Sequence, residues 1–205
     1  YASVEQRDHP EYKGHPVIVG GLSARGVVAT ASYEARAYGV HSAMGTERAR
    51  KLCPNGIYLW PRIEYYKAIS KQIHTIMEEF TDKIEPLSLD EAFLDVTGTA
   101  HKFTGPVQLG RAIKQRVLEE TGLIISAGLA PNKFLAKIAS DLDKPDGLVV
   151  VPYGREMEFL RDLPVKRLWG VGKQTERRLL ESGYKTIGDI QILPDERHLV
   201  GILGN

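Results

Sequence analysis

Apolar positions recur along this chain in short runs whose period changes from segment to segment, and those changes predict its elements. Tyr1 and Val4 lie three apart and share one face of a short helix over the first eight residues, which His9-Pro10 stops. Val17-Ile18-Val19 predicts a strand, Gly20-Gly21 through Gly26 a turn, and Val27-Val28-Ala29-Thr30 the returning strand of a hairpin. Ala31 to Tyr38 predicts a helix closed by Gly39, and a second short helix follows Thr46 as its N-cap and ends before Pro54-Asn55-Gly56. Ile57-Tyr58-Leu59-Trp60 predicts another strand.

A longer helix carries Tyr66, Ile69, Ile73, Ile76, Met77 and Phe80 at spacings of three and four. From Ile84 to Val96 the pattern becomes strand-like, interrupted by Pro86 and by the acidic pair Asp90-Glu91. Gly105-Pro106 opens a helix with Leu109, Ile113 and Val117 on one face. Leu123 to Leu129 predicts a strand, Pro131-Asn132 starts a helix carrying Phe134, Leu135, Ile138 and Leu142, and Leu148 to Val151 predicts a strand after the Lys144–Gly147 turn. Strand, strand, helix, strand, helix, strand is an α+β order, that of a ferredoxin-like layer without its first strand and helix. From about Pro152 the chain reads as helical and polar, with a Gly-x-Gly hairpin near residue 171.

Composition narrows the class. The 205 residues include 27 Lys and Arg against 26 Asp and Glu, a net charge of +1, so any polyanion site is a local patch rather than a uniformly basic surface. At 42% hydrophobic and 26% charged the chain supports a packed core. Its apolar runs are too short to span a membrane, and no signal peptide is visible. A single cysteine, Cys53, excludes a disulfide framework and fits a reducing compartment. The opening residue is not Met, which suggests a piece of a longer protein.

Four segments carry candidate chemistry. In Ser88-Leu89-Asp90-Glu91-Ala92, two adjacent carboxylates at a strand turn repel each other, and a hard divalent cation such as Mg²⁺ relieves that repulsion. A solvated acidic turn is the plain alternative, and two carboxylates are few for a two-metal site. In Thr30-Ala31-Ser32-Tyr33-Glu34-Ala35-Arg36, a hydroxyl, a phenol and a guanidinium beside a helix start form a phosphate clamp. The alternative there is an ordinary surface helix with Tyr33 packed inward. Lys144, in the Lys-Pro-Asp-Gly turn, either complements a helix dipole in solvent or reaches the same phosphates. Leu168-Trp169-Gly170-Val171-Gly172-Lys173 reads as a helix-hairpin-helix whose glycines let backbone N–H groups approach DNA phosphates, against a plain helical turn. The six histidines are scattered and pair with no second cysteine, which argues against a zinc site.

Together these motifs resemble the Y-family (translesion) DNA polymerases, of the DNA polymerase IV type, along the whole chain. The resemblance rests on Tyr1-Ala2-Ser3-Val4-Glu5, Ala29 to Arg36, Pro86 to Ala92, Lys133 to Asp141, Lys144-Pro145-Asp146-Gly147 and Gly170-Val171-Gly172. It implies a palm over residues 1–7 and 62–151, fingers over 8–61 and the start of a thumb over 152–205. It implies that Asp90 and Glu91 are catalytic and metal-binding, with two Mg²⁺ ions per site. Thr30, Tyr33, Arg36 and Lys144 fall on the residues that hold the incoming deoxynucleoside triphosphate. Tyr1 matches the aromatic steric gate that favours deoxynucleotides, and Val27 and Ala29 match the small residues that roof the nascent base pair. Gly170, Val171, Gly172 and Lys173 fall on the DNA-binding hairpin.

The implied reaction is attack of a primer 3′-oxygen on the α-phosphate, a low-fidelity synthesis used in DNA repair and damage tolerance, with primer-template DNA as partner. A sliding-clamp contact in a C-terminal region, a monomeric state and a bacterial cytoplasmic location are further implications. The family carries an Asp-x-Asp strand just upstream of the gate, and this chain begins at the gate; the polypeptide as it stands is therefore expected to be impaired. Two other readings stay open: a non-catalytic DNA-backbone binder with a degenerate palm, and another palm-type nucleotidyl transferase or cyclase.

Overall fold

A computed structural model describes residues 1–23, 25–195 and 197–203. The chain divides into two compact units, Tyr1–Asp95 with Arg116–Leu123, and Val96–Gln115 with Ile124–Asn205. The first unit opens with α1 (Ala2–Asp8), followed by β1 (Val17–Gly20), β2 (Val28–Ala31), α2 (Tyr33–Ala37), α3 (Thr46–Leu52), β3 (Ile57–Leu59) and α4 (Ile63–Glu78). It continues into the hairpin of β4 (Ile84–Pro86) and β5 (Ala92–Leu94). Next comes α5 (Pro106–Thr121), whose last six residues belong to the first unit and whose earlier residues belong to the second. The second unit then holds β6 (Ala127–Leu129), α6 (Lys133–Leu142), β7 (Leu148–Val150), α7 (Glu156–Arg161), α8 (Lys173–Glu181), α9 (Ile187–Gln191) and α10 (Arg197–Leu203).

In the first unit β1 is the centre of a three-stranded sheet, antiparallel to β2 and parallel to β3. All four β1 residues are buried because both faces of the sheet are covered. The strand alternation divides them: Ile18 packs with Val28, Ala35, Val40, Met44 and Ala49, whereas Val17 and Val19 pack with Ala2, Val4, Tyr66 and Leu123. Ser32 locks the strand to the following helix, since its Oγ accepts from the Val17 amide at 3.0 Å and from the Ala35 amide at 3.3 Å.

In the second unit β6 and β7 pair in parallel, in register from Ala127 opposite Leu148 to Leu129 opposite Val150. Helix α6 lies close on this ribbon, and Gly128 permits it: a Cβ there would stand 2.1 Å from the Ala136 carbonyl oxygen. Leu135, Ile138 and Ala139 of α6 bury against Val151, Leu160 and Ile187.

The α+β class and the element order after residue 84 are as the pattern predicts, and the strands form small sheets, β4–β5 antiparallel and β6–β7 parallel. Several local expectations are corrected. Ala31 ends β2 instead of starting a helix, because Ser32 caps the five-residue α2. Gly45, not Thr46, is the N-cap of α3; the Thr46 hydroxyl donates instead to the Gly21 carbonyl at 2.6 Å, tying α3 to the glycine turn. Of the stretch from Leu123 to Leu129, only Ala127–Leu129 pairs as a strand, since Leu123 is taken up by the core behind β1. Phe134 stands at the solvent side of α6, 38% exposed. No helix among the described residues is long and apolar enough to cross a membrane.

Candidate active site

The acidic pair lies on the turn between β4 and β5. The Leu87 and Ser88 amides donate to the Glu91 carbonyl at 2.8 and 3.1 Å, which closes the turn. Ser88 Oγ donates to Asp90 Oδ1 at 2.8 Å and accepts from the Asp90 amide at 3.3 Å, so the Asp90 carboxylate is oriented by its own loop. Asp90 is exposed and Glu91 half-buried beside it. Adjacent anionic oxygens on an outward turn are a donor set suited to a hard cation such as Mg²⁺. No group of three His, Cys, Asp or Glu among the described residues is arranged to hold a metal ion. An ion held by Asp90 and Glu91 would therefore need further oxygen ligands from water or substrate.

Tyr1 belongs to the same neighbourhood. Asp90 lies near enough to the Tyr1 backbone nitrogen for its charge to be felt there. The Tyr1 ring stacks on Tyr66 of α4 with centroids 4.3 Å apart. Tyr66 is buried, and its hydroxyl donates to Glu5 Oε1 at 2.5 Å. Glu5, itself buried, also receives Arg62 in bidentate fashion, Nε to Oε1 and Nη2 to Oε2, both at 2.9 Å. Arg62 reaches Asp8 as well, at 2.8 Å, and Asp8 receives Arg7 at 2.7 and 2.9 Å. Burial and the Glu5 bond push the Tyr66 phenol up to about 12.

Sequence reasoning read Tyr66 only as a core position of a helix and gave Glu5 and Arg62 no role. The available signal was Glu5 itself, an acid one residue from buried Val4 on a short amphipathic helix.

The phosphate-clamp candidates sit at the junction of β2 and α2. Thr30 is half-buried, while Tyr33 and Arg36 are exposed on α2. Tyr33 does not pack inward; the residue is 47% exposed, with the Arg36 guanidinium 5.5 Å from its ring centroid. Arg36 Nε donates to the Ala31 carbonyl at 3.0 Å, which fixes the guanidinium near the end of the strand. Val27 and Ala29, two apart on β2's side of the sheet, are both exposed, with Val28 buried between them. Gln6 of α1 donates to Glu34 at 3.1 Å, linking the Tyr1 helix to the clamp helix.

In the second unit, Lys144 precedes β7 in the turn and lies 2.5 Å from Asp141 Oδ1. Burial raises the Asp141 carboxyl, but the hydrogen bonds from Lys144 and Lys137 outweigh it and hold the group below the ordinary carboxylate range. The Gly170–Gly172 hairpin lies between a three-residue 3-10 turn (Val165–Arg167) and α8, so the element before it is shorter than the helix the pattern suggests. Gly170 has φ +94°, and Gly172 is the N-cap of α8 with nothing within 4 Å of a would-be Cβ. Lys173 is the first residue of α8.

The chain belongs to the impB/mucB/samB family, whose model matches residues 1–141, and the model of the IMS family HHH motif matches residues 153–184. This membership bears out the resemblance to Y-family DNA polymerases. Among curated relatives, DNA polymerase IV of Treponema denticola is 50% identical over 206 residues, covering 100% of this chain and 52% of that protein. DNA polymerase IV of Bacteroides fragilis is 55% identical over 179 residues, 87% of this chain and 49% of the relative. The chain thus spans about half the length of the curated relatives it matches. Of solved structures, DinB from Sulfolobus solfataricus superimposes with a TM-score of 0.93 at 39% identity, over 100% of this chain and 60% of that one. An insertion ternary complex of Dbh DNA polymerase gives 0.89 at 39% identity, over 100% of this chain and 61% of that one.

Proposed function

We propose that this chain carries the nucleotide-binding and acidic parts of a template-directed translesion DNA polymerase. The observation that carries the reading is the exposed pair Tyr33 and Arg36 following half-buried Thr30: a phenol and a guanidinium turned to solvent suit a triphosphate, and a DNA-backbone binder has no use for them. By its place in the family-like Lys-Pro-Asp-Gly motif, Lys144 is a further cation for a triphosphate. Tyr1, seated on Tyr66, meets the sugar and excludes a 2′-hydroxyl, while Val27 and Ala29 leave room above the base pair. Gly170, Val171, Gly172 and Lys173 bind the DNA backbone without reading sequence. In this reading residues 8–61 are fingers, 1–7 and 62–151 palm, and 152–205 thumb.

Asp90 and Glu91 hold Mg²⁺ in this reading, as part of a two-ion site that requires oxygen ligands besides these two. When bound, the ions would supply positive charge where the phosphate oxygens gain negative charge. The chain's own residues do the rest: Arg36 and Tyr33 orient the triphosphate, and Tyr1 fixes the sugar so that the primer oxygen and α-phosphorus meet in line.

Template dependence tests the reading. The protein at its full natural length is given a labelled primer-template, Mg²⁺ and one deoxynucleotide at a time. Insertion that follows the template base supports a polymerase. DNA binding without insertion supports the backbone-binding module instead.

A further inference from the structure

Lys114 is an inward-turned lysine on α5, next to the core residue Ile113, with a side chain only 14% exposed. Its Nζ donates to the Ile125 carbonyl at 2.8 Å, the Asp146 carbonyl at 2.6 Å and Asp146 Oδ1 at 2.7 Å, and lies 3.1 Å from the Gly147 carbonyl. Three N–H donors therefore face four oxygens, three of them backbone carbonyls. Those oxygens come from two segments, the approach to β6 and the turn that leads into β7. Withdrawing an ammonium from water is costly unless such oxygens replace the water, and here they do.

The turn it grips is shaped residue by residue. Asp146 has φ +68°, and a Cβ on Gly147 would stand 2.1 Å from the Asp143 carbonyl oxygen. The Gly147 amide donates to Ser126 Oγ at 3.2 Å, and its carbonyl accepts from the Ala127 amide at 3.0 Å. Two residues before Asp146, Lys144 is steadied through its side chain by Asp141. Lys114 thus holds the backbone of the turn and Asp141 the side chain that the turn presents.

We propose that Lys114 is a positioning residue for nucleotide binding: it fixes the 144–147 turn so that Lys144 is presented to the triphosphate. The inference rests on the reading in which Lys144 binds that triphosphate. Lys114 acts through Lys144. Without its ammonium the carbonyls of Asp146 and Gly147 lose their common donor, the turn gains alternatives, and Lys144 spends less time in its binding position. The loss falls on nucleotide binding, because nothing at the reacting atoms has changed.

The test is single-nucleotide insertion by the full-length protein on a primer-template with saturating Mg²⁺. Lys114→Met, Lys114→Arg, Lys144→Ala and the Lys114→Met/Lys144→Ala double variant are compared. Lys144→Ala is expected to raise KM for the deoxynucleotide, and Lys114→Met to raise it about ten-fold with kcat changed less than about three-fold. Lys114→Arg, which keeps the donors, recovers most of that loss, and the double variant is no worse than Lys144→Ala alone. A purely structural role would lower kcat through a smaller folded fraction, leave KM unmoved and add to Lys144→Ala; that result overturns the proposal.

Should Lys114→Met fail to fold, Asp146→Gly removes one of the four acceptors at a backbone conformation glycine accepts. A rise of about two-fold in KM is then expected, and an unchanged KM overturns the proposal. An unchanged KM in Lys144→Ala overturns the reading beneath the proposal and the proposal with it. A raised KM in Lys144→Ala beside an unchanged one in Lys114→Met overturns the proposal alone.

Discussion

The ring of Tyr1 lies on the ring of Tyr66, centroids 4.3 Å apart and planes 11° from parallel. Tyr66 is in turn anchored by its hydroxyl to buried Glu5. If Tyr1 is the sugar gate, Tyr66→Ala removes the gate's seat without touching the nucleotide. Discrimination against ribonucleotides, read as the ratio of kcat/KM for matched deoxy and ribo substrates, is expected to fall about two- to ten-fold, the worth of one aromatic pair. An unchanged ratio would show that Tyr1 holds its position without Tyr66.

Glu5 is the buried hub of a charged network whose outer members, Arg62 and Asp8, reach solvent. Glu5→Ala strips Tyr66 of its acceptor and leaves Arg62 with Asp8. The expected loss is about 2–4 kcal/mol, limited by Arg62 being partly exposed and able to recruit water. Urea unfolding measures it as a lower midpoint at unchanged slope. A change of less than about 0.5 kcal/mol would mean the network relaxes around its missing member.

Stability should fall at both ends of the pH scale, for opposite reasons. Burial raises the Asp8 carboxyl, but Arg7, Arg62 and Tyr65 outweigh it and hold the group below the ordinary range. The folded state therefore binds this proton more weakly than the unfolded chain, and the stabilisation present above the ordinary carboxylate range is lost as pH falls through the lowered value. Tyr66 is the reverse case. Its phenol is pushed up to about 12 in the folded state, so its stabilisation is complete below the unfolded value and is lost as pH rises toward 12. A series of urea unfolding curves across pH checks both, with Asp8→Asn flattening the acid limb and Tyr66→Phe the alkaline one.

If the hairpin binds DNA as proposed, Gly172 separates that binding from folding. No atom of the fold lies within 4 Å of a would-be Cβ there, and its backbone is in the ordinary extended region. Gly172→Leu should therefore leave the thermal midpoint nearly unchanged while blocking the approach of a phosphate to the hairpin. Affinity for duplex DNA in the full-length protein is expected to fall about ten-fold, with less loss at high salt, where phosphate contacts already contribute little. Equal affinity in both proteins would remove the hairpin from the interface.

The parts of this fold that were legible in the sequence are those with local periods and local stops. Val17, Ile18 and Val19 announce a strand by themselves, and the spacing of Leu109, Ile113 and Val117 announces α5. Residue types alone single out Asp90-Glu91 and the Tyr33–Arg36 pair as candidates, with a solvated turn and a surface helix as their plain alternatives. What stayed hidden depends on partners distant in the chain. Glu5 finds Arg62 after 57 positions and Tyr66 after 61, and no period encodes such a meeting. Thr46 was misread because its hydroxyl serves a turn 25 residues away instead of its own helix. Lys114 carried no signal at all, because three of its four acceptors are backbone carbonyls, which any residue supplies.

Asp90 bears most directly on the claim that this chain belongs to a polymerase. The decisive measurement is single-turnover insertion of one templated deoxynucleotide by the full-length protein and by its Asp90→Ala variant, with duplex affinity and thermal midpoint measured for both. The account predicts that Asp90→Ala binds DNA and folds as before but inserts at least about a thousand-fold more slowly, the scale on which loss of charge stabilisation at the reacting phosphate is felt. Insertion by Asp90→Ala at the unsubstituted rate would contradict it and leave the exposed acidic turn an ordinary solvated loop.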